Sequence, residues 1–287
     1  MIFYIKSKVL HFILFTLYLY LLQIQVHILG GINMSKDYDK RFSLSILLWM
    51  RKDKPRQEGM DYWRGGHAQI ISSSPGLLEY RQQHLSETEH GFWPTLEGLE
   101  TSIPEDRRID GIAEVTYANL LAPLGGLHQT SLAFKDEVNV FRRTLMHMGL
   151  PYSSRWYHTD TNLDTSLRDV FYIRRKENVS SSYFKKFVND SFASRLAKIP
   201  GITEIRSQVY LPWNKATWNT PNVAHDNPKE DHLHASIMIG FVNQAARENF
   251  YTNIAPHLNE ELVKYASALH AYHIDTTLPF VLDGKRK

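Results

Sequence analysis

At 287 residues, 43% hydrophobic and 22% charged, the chain has the composition of one large or two compact globular domains, which excludes disorder as its default state. Its formal charge of +3 comes from 33 basic and 30 acidic residues spread along the chain, with no basic run interleaved with aromatics, so no nucleic-acid partner is expected. The absence of cysteine removes disulfides, thiolate nucleophiles and cysteine-ligated metals, and permits a reducing compartment.

Residues 1–33 stand apart. Between Val9 and Ser35 there is no Lys, Arg, Asp or Glu, and residues 9–32 are long and apolar enough to cross a bilayer. Lys6 and Lys8 precede this run, but no small-x-small cleavage site follows it. Two readings are open. Either translation starts at Met34, where Met34-Ser35-Lys36-Asp37 opens a polar leader and the protein is cytoplasmic, or residues 9–32 anchor it to a membrane. Asn178-Val179-Ser180 and Asn189-Asp190-Ser191 fit the glycosylation-acceptor pattern, which is common by chance.

Beyond the leader, Phe42 to Met50 alternates with period two and predicts a strand. A helix follows with Trp63, His67 and Ile71 on one stripe, ending at Ser74-Pro75-Gly76. Leu77 to Leu85 predicts a second strand, Ser86 to Arg108 a long loop, and Ile109 to Tyr117 a third strand. A helix from about Ser131 to Met146 and a strand from Tyr152 to Asp160 complete this half. The second half repeats the order: a strand from Leu167 to Ile173, a helix carrying Val188, Phe192 and Leu196, and a strand from Ile202 to Leu211. A loop, a strand from His232 to Val242, helical sequence to about Ala266 and a strand from Leu269 to Thr276 follow. Pro75-Gly76 matches Pro200-Gly201, and Tyr157-His158-Thr159-Asp160-Thr161 matches Tyr272-His273-Ile274-Asp275-Thr276, which argues for duplication.

The expected fold class is therefore α+β: two ferredoxin-like βαββαβ repeats, residues 34–163 and 164–287, each an antiparallel sheet with its helices on one face. The bare faces must be buried, and each repeat supplies the other's partner. Sheet-to-sheet packing within one chain makes a monomer the minimal unit, with a homodimer optional, and places a pocket between the sheets.

Three segments of the first half resemble the EthD family: Tyr62-Trp63-Arg64-Gly65-Gly66-His67-Ala68, Asp110-Gly111-Ile112-Ala113-Glu114, and Asp136-Glu137 with Phe141. With Pro75-Gly76-Leu77 they span most of residues 42–160, whereas the second half lacks the helix histidine and the Asp-Gly pair. The resemblance implies a dimeric α/β barrel and a place among proteins of degradative oxidation or polyketide tailoring, whose wider group includes cofactor-independent monooxygenases, cyclases and haem enzymes. It does not select a reaction.

His67 is the leading catalytic candidate, because the second half has Phe192 at that place on the stripe and a buried imidazole needs a partner or a cavity. Its bland alternative is a structural histidine. Tyr80, Gln82 and His84 share a strand face, and Tyr80 or His84 would hold a developing oxyanion if that face points inward. His158 with Asp160 and His273 with Asp275 read first as structural closure pairs. His232 and His234, beside His225, Asp226 and Asp231, lack a defined metal spacing, so no metal is expected, and with no dinucleotide or phosphate motif no cofactor is expected either. Trp93, Trp213 and Trp218 lie in long loops that either lid a pocket or anchor irregular chain. The expected function is a cofactor-independent oxidoreductase or cyclase acting on a hydrophobic carbonyl- or phenol-bearing small molecule. The rival is a non-catalytic binding module for such a ligand.

Overall fold

The computed structural model describes residues 37–161 and 163–287; the segment 1–33 and the start at Met34 lie outside the described residues. The first half runs β1 (Tyr38–Lys40), β2 (Phe42–Met50), helix α1 (Arg56–Tyr62), a π-helical turn (Trp63–His67), α2 (Ala68–Ser72), β3 (Leu77–His90), β4 (Gly111–Tyr117), α3 (Leu127–Val140), β5 (Phe141–Gly149) and β6 (Ser154–Tyr157). The second runs β7 (Leu167–Arg175), α4 (Ser181–Lys186), a π turn (Phe187–Ala193), α5 (Ser194–Leu196), β8 (Ile202–Val209), β9 (Ala235–Phe241), α6 (Gln244–Asn249), a π turn (Phe250–Ile254), α7 (Ala255–Tyr265), β10 (Ala266–Leu282) and β11 (Lys285–Arg286). One constant displacement along the chain relates Phe42 to Leu167, Leu77 to Ile202 and Phe141 to Ala266.

Within each half the strands are antiparallel and lie in the spatial order fourth, first, third, second: β5-β2-β4-β3 and β10-β7-β9-β8. The fourth strands join the halves. β10 pairs with β7 from Ala266 to Ile274, then runs on to pair with β3 as far as Val281. At the opposite seam the chain leaves β5, turns, and enters β6, which pairs with β8. The strand order ends at β1 and β5, and backbone bonds from Leu211 to Met148 and from Ala224 to Arg142 cover part of the β5 edge.

The period-two pattern of β2 explains how one strand serves two cores. Phe42, Leu44, Ile46 and Leu48 join a cluster under the helices, whereas Leu47 and Trp49 join a cluster shared by both halves that includes Ile112, Leu145, Tyr172, Met238 and Tyr272. All nine residues of β2 are accordingly buried. The second half carries its own helix-side core, rich in Phe171, Phe187, Phe192 and Phe250. The long loops also cross over. Trp93 is buried in the second half's core and donates to Asn259 Oδ1 at 2.7 Å, and Trp218 donates to Glu137 Oε1 of the first half at 2.9 Å. These two tryptophans are anchors for irregular chain.

Two expectations about element bounds and one about modification are corrected. The predicted helix reaching Met146 ends at Val140, and Phe141–Gly149 is a strand at the end of the strand order, paired with β2. Helix passes into strand without an intervening turn there and again at Tyr265 to Ala266, so no Gly or Pro marks either switch. The third strand of the second half starts at Ala235, leaving His232 and His234 in the preceding loop. Asn189 is fully buried and accepts from Ser207 Oγ, so it is a core residue rather than an accessible glycosylation acceptor.

One charge cluster spans the two sheets. Arg206 of β8 bonds Glu79 of β3 at 2.6 Å, Glu204 at 2.6 Å and Glu114 of β4 at 3.3 Å, while Arg81 reaches Glu79 and Glu204 and Arg168 reaches Glu204. Glu79-Tyr80-Arg81 and Glu204-Ile205-Arg206 occupy equivalent places after the two Pro-Gly pairs, so each half offers the other the same pair of opposite charges. Residues 34–163 expressed alone would expose the lumen-facing residues and leave half of this cluster unmatched. That fragment is expected to self-associate or aggregate in sedimentation velocity; a cooperatively folding monomer would contradict the mutual burial.

Candidate functional site

The three segments that carried the EthD resemblance meet at the helix-sheet interface of the first half. The π turn places the Trp63 ring, fully buried, against β4, where a Cβ on residue 111 would sit 2.4 Å from Trp63 Cζ3. Gly111 is therefore required by the close approach of that ring. Its neighbour Asp110 accepts from the Met50 amide at 2.7 Å and Arg56 Nε at 2.6 Å, tying β4 to β2 and to α1.

His67 ends the same π turn and is 5% exposed. Its Nδ1 lies 2.9 Å from Asp136 Oδ2 on α3, and its ring meets Phe141 edge-on at 5.4 Å. Asp136 Oδ1 also accepts from Tyr62 Oη at 2.8 Å and Asn139 Nδ2 at 3.2 Å. The hydrogen bond from His67, then those from Tyr62 and Asn139, hold the Asp136 carboxyl below its ordinary range against the opposing effect of burial. An ionised carboxylate only accepts, so Nδ1 carries a hydrogen, and in the neutral imidazole that leaves the lone pair on Nε2, the tautomer that a general base needs. Residue 137, next along α3, turns the other way: Glu137 is buried, its pKa raised by burial, and it accepts from Thr220, Trp218 and Thr144.

Tyr80, Gln82 and His84 do share one face of β3, and that face points to the helices, away from the space between the sheets. Gln82 Nε2 donates to Trp63 O and to Tyr80 Oη, both at 2.9 Å, and Gln82 Oε1 accepts from His84 Nε2 at 3.2 Å. The His84 ring stacks on Trp63 at 4.8 Å, and burial, then the nearby Arg56 and Arg64, lowers its pKa to about 4. His84 is thus neutral near pH 7 with its Nε2 hydrogen committed to Gln82. Tyr80 is fully buried, its pKa raised by burial, and it stacks on Phe280. No hydrogen bond among the described residues joins His67 to Tyr80 or His84; Trp63 and Phe141 connect them through ring contacts.

Four other histidines singled out in the sequence have partners elsewhere. His158 faces Asp39 at 3.8 Å on the surface, and His273 Nδ1 bonds the fully buried Asp169 at 2.7 Å, so neither pairs with the aspartate two residues on. His232 bonds the Asn227 carbonyl and His234 accepts from the Arg175 amide. Among the described residues no three His, Asp or Glu side chains gather as a metal site, and no described helix is long and apolar enough to cross a membrane. The partner that sequence reasoning left without a role is Asp136. It belonged to a quoted motif, but 69 residues separate it from His67 and only the packing of α3 on the π turn brings them together.

No protein-family model and no curated protein matches the chain. Among solved structures, an anthrone oxidase-like protein matches with a TM-score of 0.51 and 8% identity, over 84% of this chain and 94% of its own. A provisionally named monooxygenase of Fusobacterium nucleatum subsp. nucleatum matches with a TM-score of 0.50 and 8% identity, over 85% of this chain and 99% of its own. The chain shares the fold of these proteins. In this barrel both sheets come from one polypeptide, and the His67 site lies outside the lumen, between one sheet and its helices.

Proposed function

We propose that this barrel is an EthD-like enzyme of oxidoreductase type, built from two ferredoxin-like repeats of common origin, that removes a proton from a hydrophobic phenol- or carbonyl-bearing small molecule. The observation that carries the reading is the His67–Asp136 hydrogen bond at 2.9 Å, on a stripe where the second half packs Phe192 into a closed aromatic core. A fold that needed only stability at this place has Phe192 as its own solution. His67 is the general base through Nε2, and Asp136 fixes its tautomer and stabilises the imidazolium that forms.

Gly65 and Gly66 support an approach to His67 from the rim of the π turn. A Cβ on Gly65 would meet nothing within 4 Å, so packing does not require a glycine there, whereas one on Gly66 would touch the Tyr62 ring at 3.6 Å. The neutral wall of Tyr80, Gln82 and His84 behind Trp63 suits an apolar ring with few polar groups. The anthrone oxidase-like and monooxygenase names of proteins with this fold agree with the class of reaction. Proton removal leaves a carbanion or phenolate whose electrons dioxygen accepts. At an activated CH2, a C–O bond forms and the hydroperoxide loses water to leave a carbonyl, with one oxygen atom in the product and one in water.

Oxygen uptake measured over a panel of hydroxylated anthrones and phenols tests this. Uptake by the unaltered chain that disappears in His67→Phe is the expected result. Turnover without oxygen consumption would replace oxidation by cyclisation or rearrangement, and saturable binding with no turnover would replace the enzyme by a binding module.

A further inference from the structure

The lumen between the sheets is not filled at its loop end. A cavity of about 30 Å³ there, open to solvent on one side, is lined by Trp49, Leu145, Tyr172, Arg174, Asn227 and Leu233 among others. Four of these residues carry buried polar atoms with no hydrogen-bond partner: Trp49 Nε1, Tyr172 Oη, Arg174 Nε and both side-chain polar atoms of Asn227. Trp49, Tyr172 and Asn227 are 2%, 1% and 8% exposed. Ser45 lies near the Tyr172 hydroxyl but outside hydrogen-bonding geometry. Buried polar groups are ordinarily paired, so a group of unpaired ones on the residues that line one cavity marks a place that something else completes.

The chemistry of the unpaired atoms defines the occupant. An indole N–H, a guanidinium Nε–H and the Asn227 amide N–H only donate and the tyrosine hydroxyl can donate, against the single acceptor Asn227 Oδ1, so what the occupant chiefly presents is an acceptor oxygen. Charge decides between neutral and anionic acceptors. Arg107 is bonded to Asp231 at 2.9 Å, Arg143 to Asp226 at 2.8 Å and Arg174 to Glu100 at 3.2 Å, so no guanidinium around the cavity is left without a carboxylate. The walls beside the donors, Leu145 and Leu233, are apolar. We infer that the loop end of the lumen is a second binding site, separate from His67, for the neutral carbonyl oxygen of a small apolar molecule whose body lies toward the mouth. Both halves build it, Trp49 and Leu145 from the first and Tyr172, Arg174 and Asn227 from the second, so it exists only in the closed barrel.

Fluorine NMR titration of the full chain with 4-fluoroacetophenone and 4-fluorobenzoate tests the inference. The ketone should bind saturably and more tightly than the carboxylate. Tyr172→Phe should weaken it roughly five- to tenfold, as expected for one lost donor. Leu233→Trp, which fills the mouth, should abolish binding, and His67→Phe should leave it unchanged. Thermal melting verifies each fold, and Trp49→Phe, which removes a different donor, replaces any variant that fails to melt cooperatively. Absence of saturable binding would mean that the cavity holds only water. That result, tighter binding of the benzoate, indifference to both lumen variants, or loss of binding in His67→Phe would each overturn the inference.

Discussion

Replacing Arg206 with Met is expected to destabilise the chain by about 3–5 kcal/mol, the range for breaking a buried ionic cluster by removing one partner. Arg206 is 6% exposed and is the centre of the cluster: three carboxylates, Glu79, Glu114 and Glu204, lie on it, and without it they face one another across the lumen. Burial opposes charging Glu204, but Arg206, Arg168 and Arg81 overcome it and draw its pKa down to about 2. A carboxylate depressed on folding contributes stability that is present above its unfolded pKa, near 4.5, and is lost as pH falls toward 2. Glu79 is shifted the same way by Arg206 and Arg81, whereas burial raises the pKa of Glu114, whose ionised form therefore costs stability at higher pH. Guanidinium unfolding of the unaltered chain should accordingly show a falling midpoint between about pH 4.5 and 2. In Arg206→Met the midpoint should be low throughout and this acid dependence shallower. A variant within about 1 kcal/mol of the parent at pH 7 would show that the two sheets are held by their apolar contacts alone.

Architecture was legible wherever periodicity and punctuation agree. The alternation of β2, the Pro-Gly pairs before β3 and β8, and the matching order of elements lead to the closed barrel because each follows from a local rule. The fourth strands were harder to place. Val140 to Phe141 and Tyr265 to Ala266 change from helix to strand with no breaker residue, and what holds Phe141–Gly149 extended is its pairing with β2, a contact distant in sequence. His147, one residue past the expected helix end at Met146, is a buried strand residue stacked on Tyr210 at 4.6 Å, with its pKa lowered by burial to about 3. The candidate site was legible in its residues and not in its geometry. His67 stood out against Phe192, and Tyr80, Gln82 and His84 were rightly placed on one face. Which side of the sheet that face covers depends on the helices packed over it.

His67→Phe is expected to lower turnover by roughly two to four powers of ten while changing stability by about 1 kcal/mol or less. The stability half follows from the surroundings. Phe192 fills the equivalent place, and Phe141 already offers an aromatic edge to an incoming ring. Asp136 would lose one hydrogen bond yet keep those from Tyr62 and Asn139, and its side chain is 13% exposed, so its charge is not stranded. The activity half follows from the tautomer, and Asp136→Asn isolates it. The amide is isosteric and can donate to Nδ1, which moves the imidazole hydrogen to Nε2, where the lone pair is needed. Asp136→Asn should therefore preserve the fold and His67 and still lose activity by a factor approaching that of His67→Phe. Adding Asp136→Asn to His67→Phe should cost little more, because the two residues act as one unit. Denaturant midpoints and turnover measured on the same preparations separate the outcomes. A large loss of stability in His67→Phe with unchanged specific activity in the folded fraction would make the pair a structural clasp between α3 and the π turn. Full activity in Asp136→Asn would leave His67 without the partner that its role as base requires.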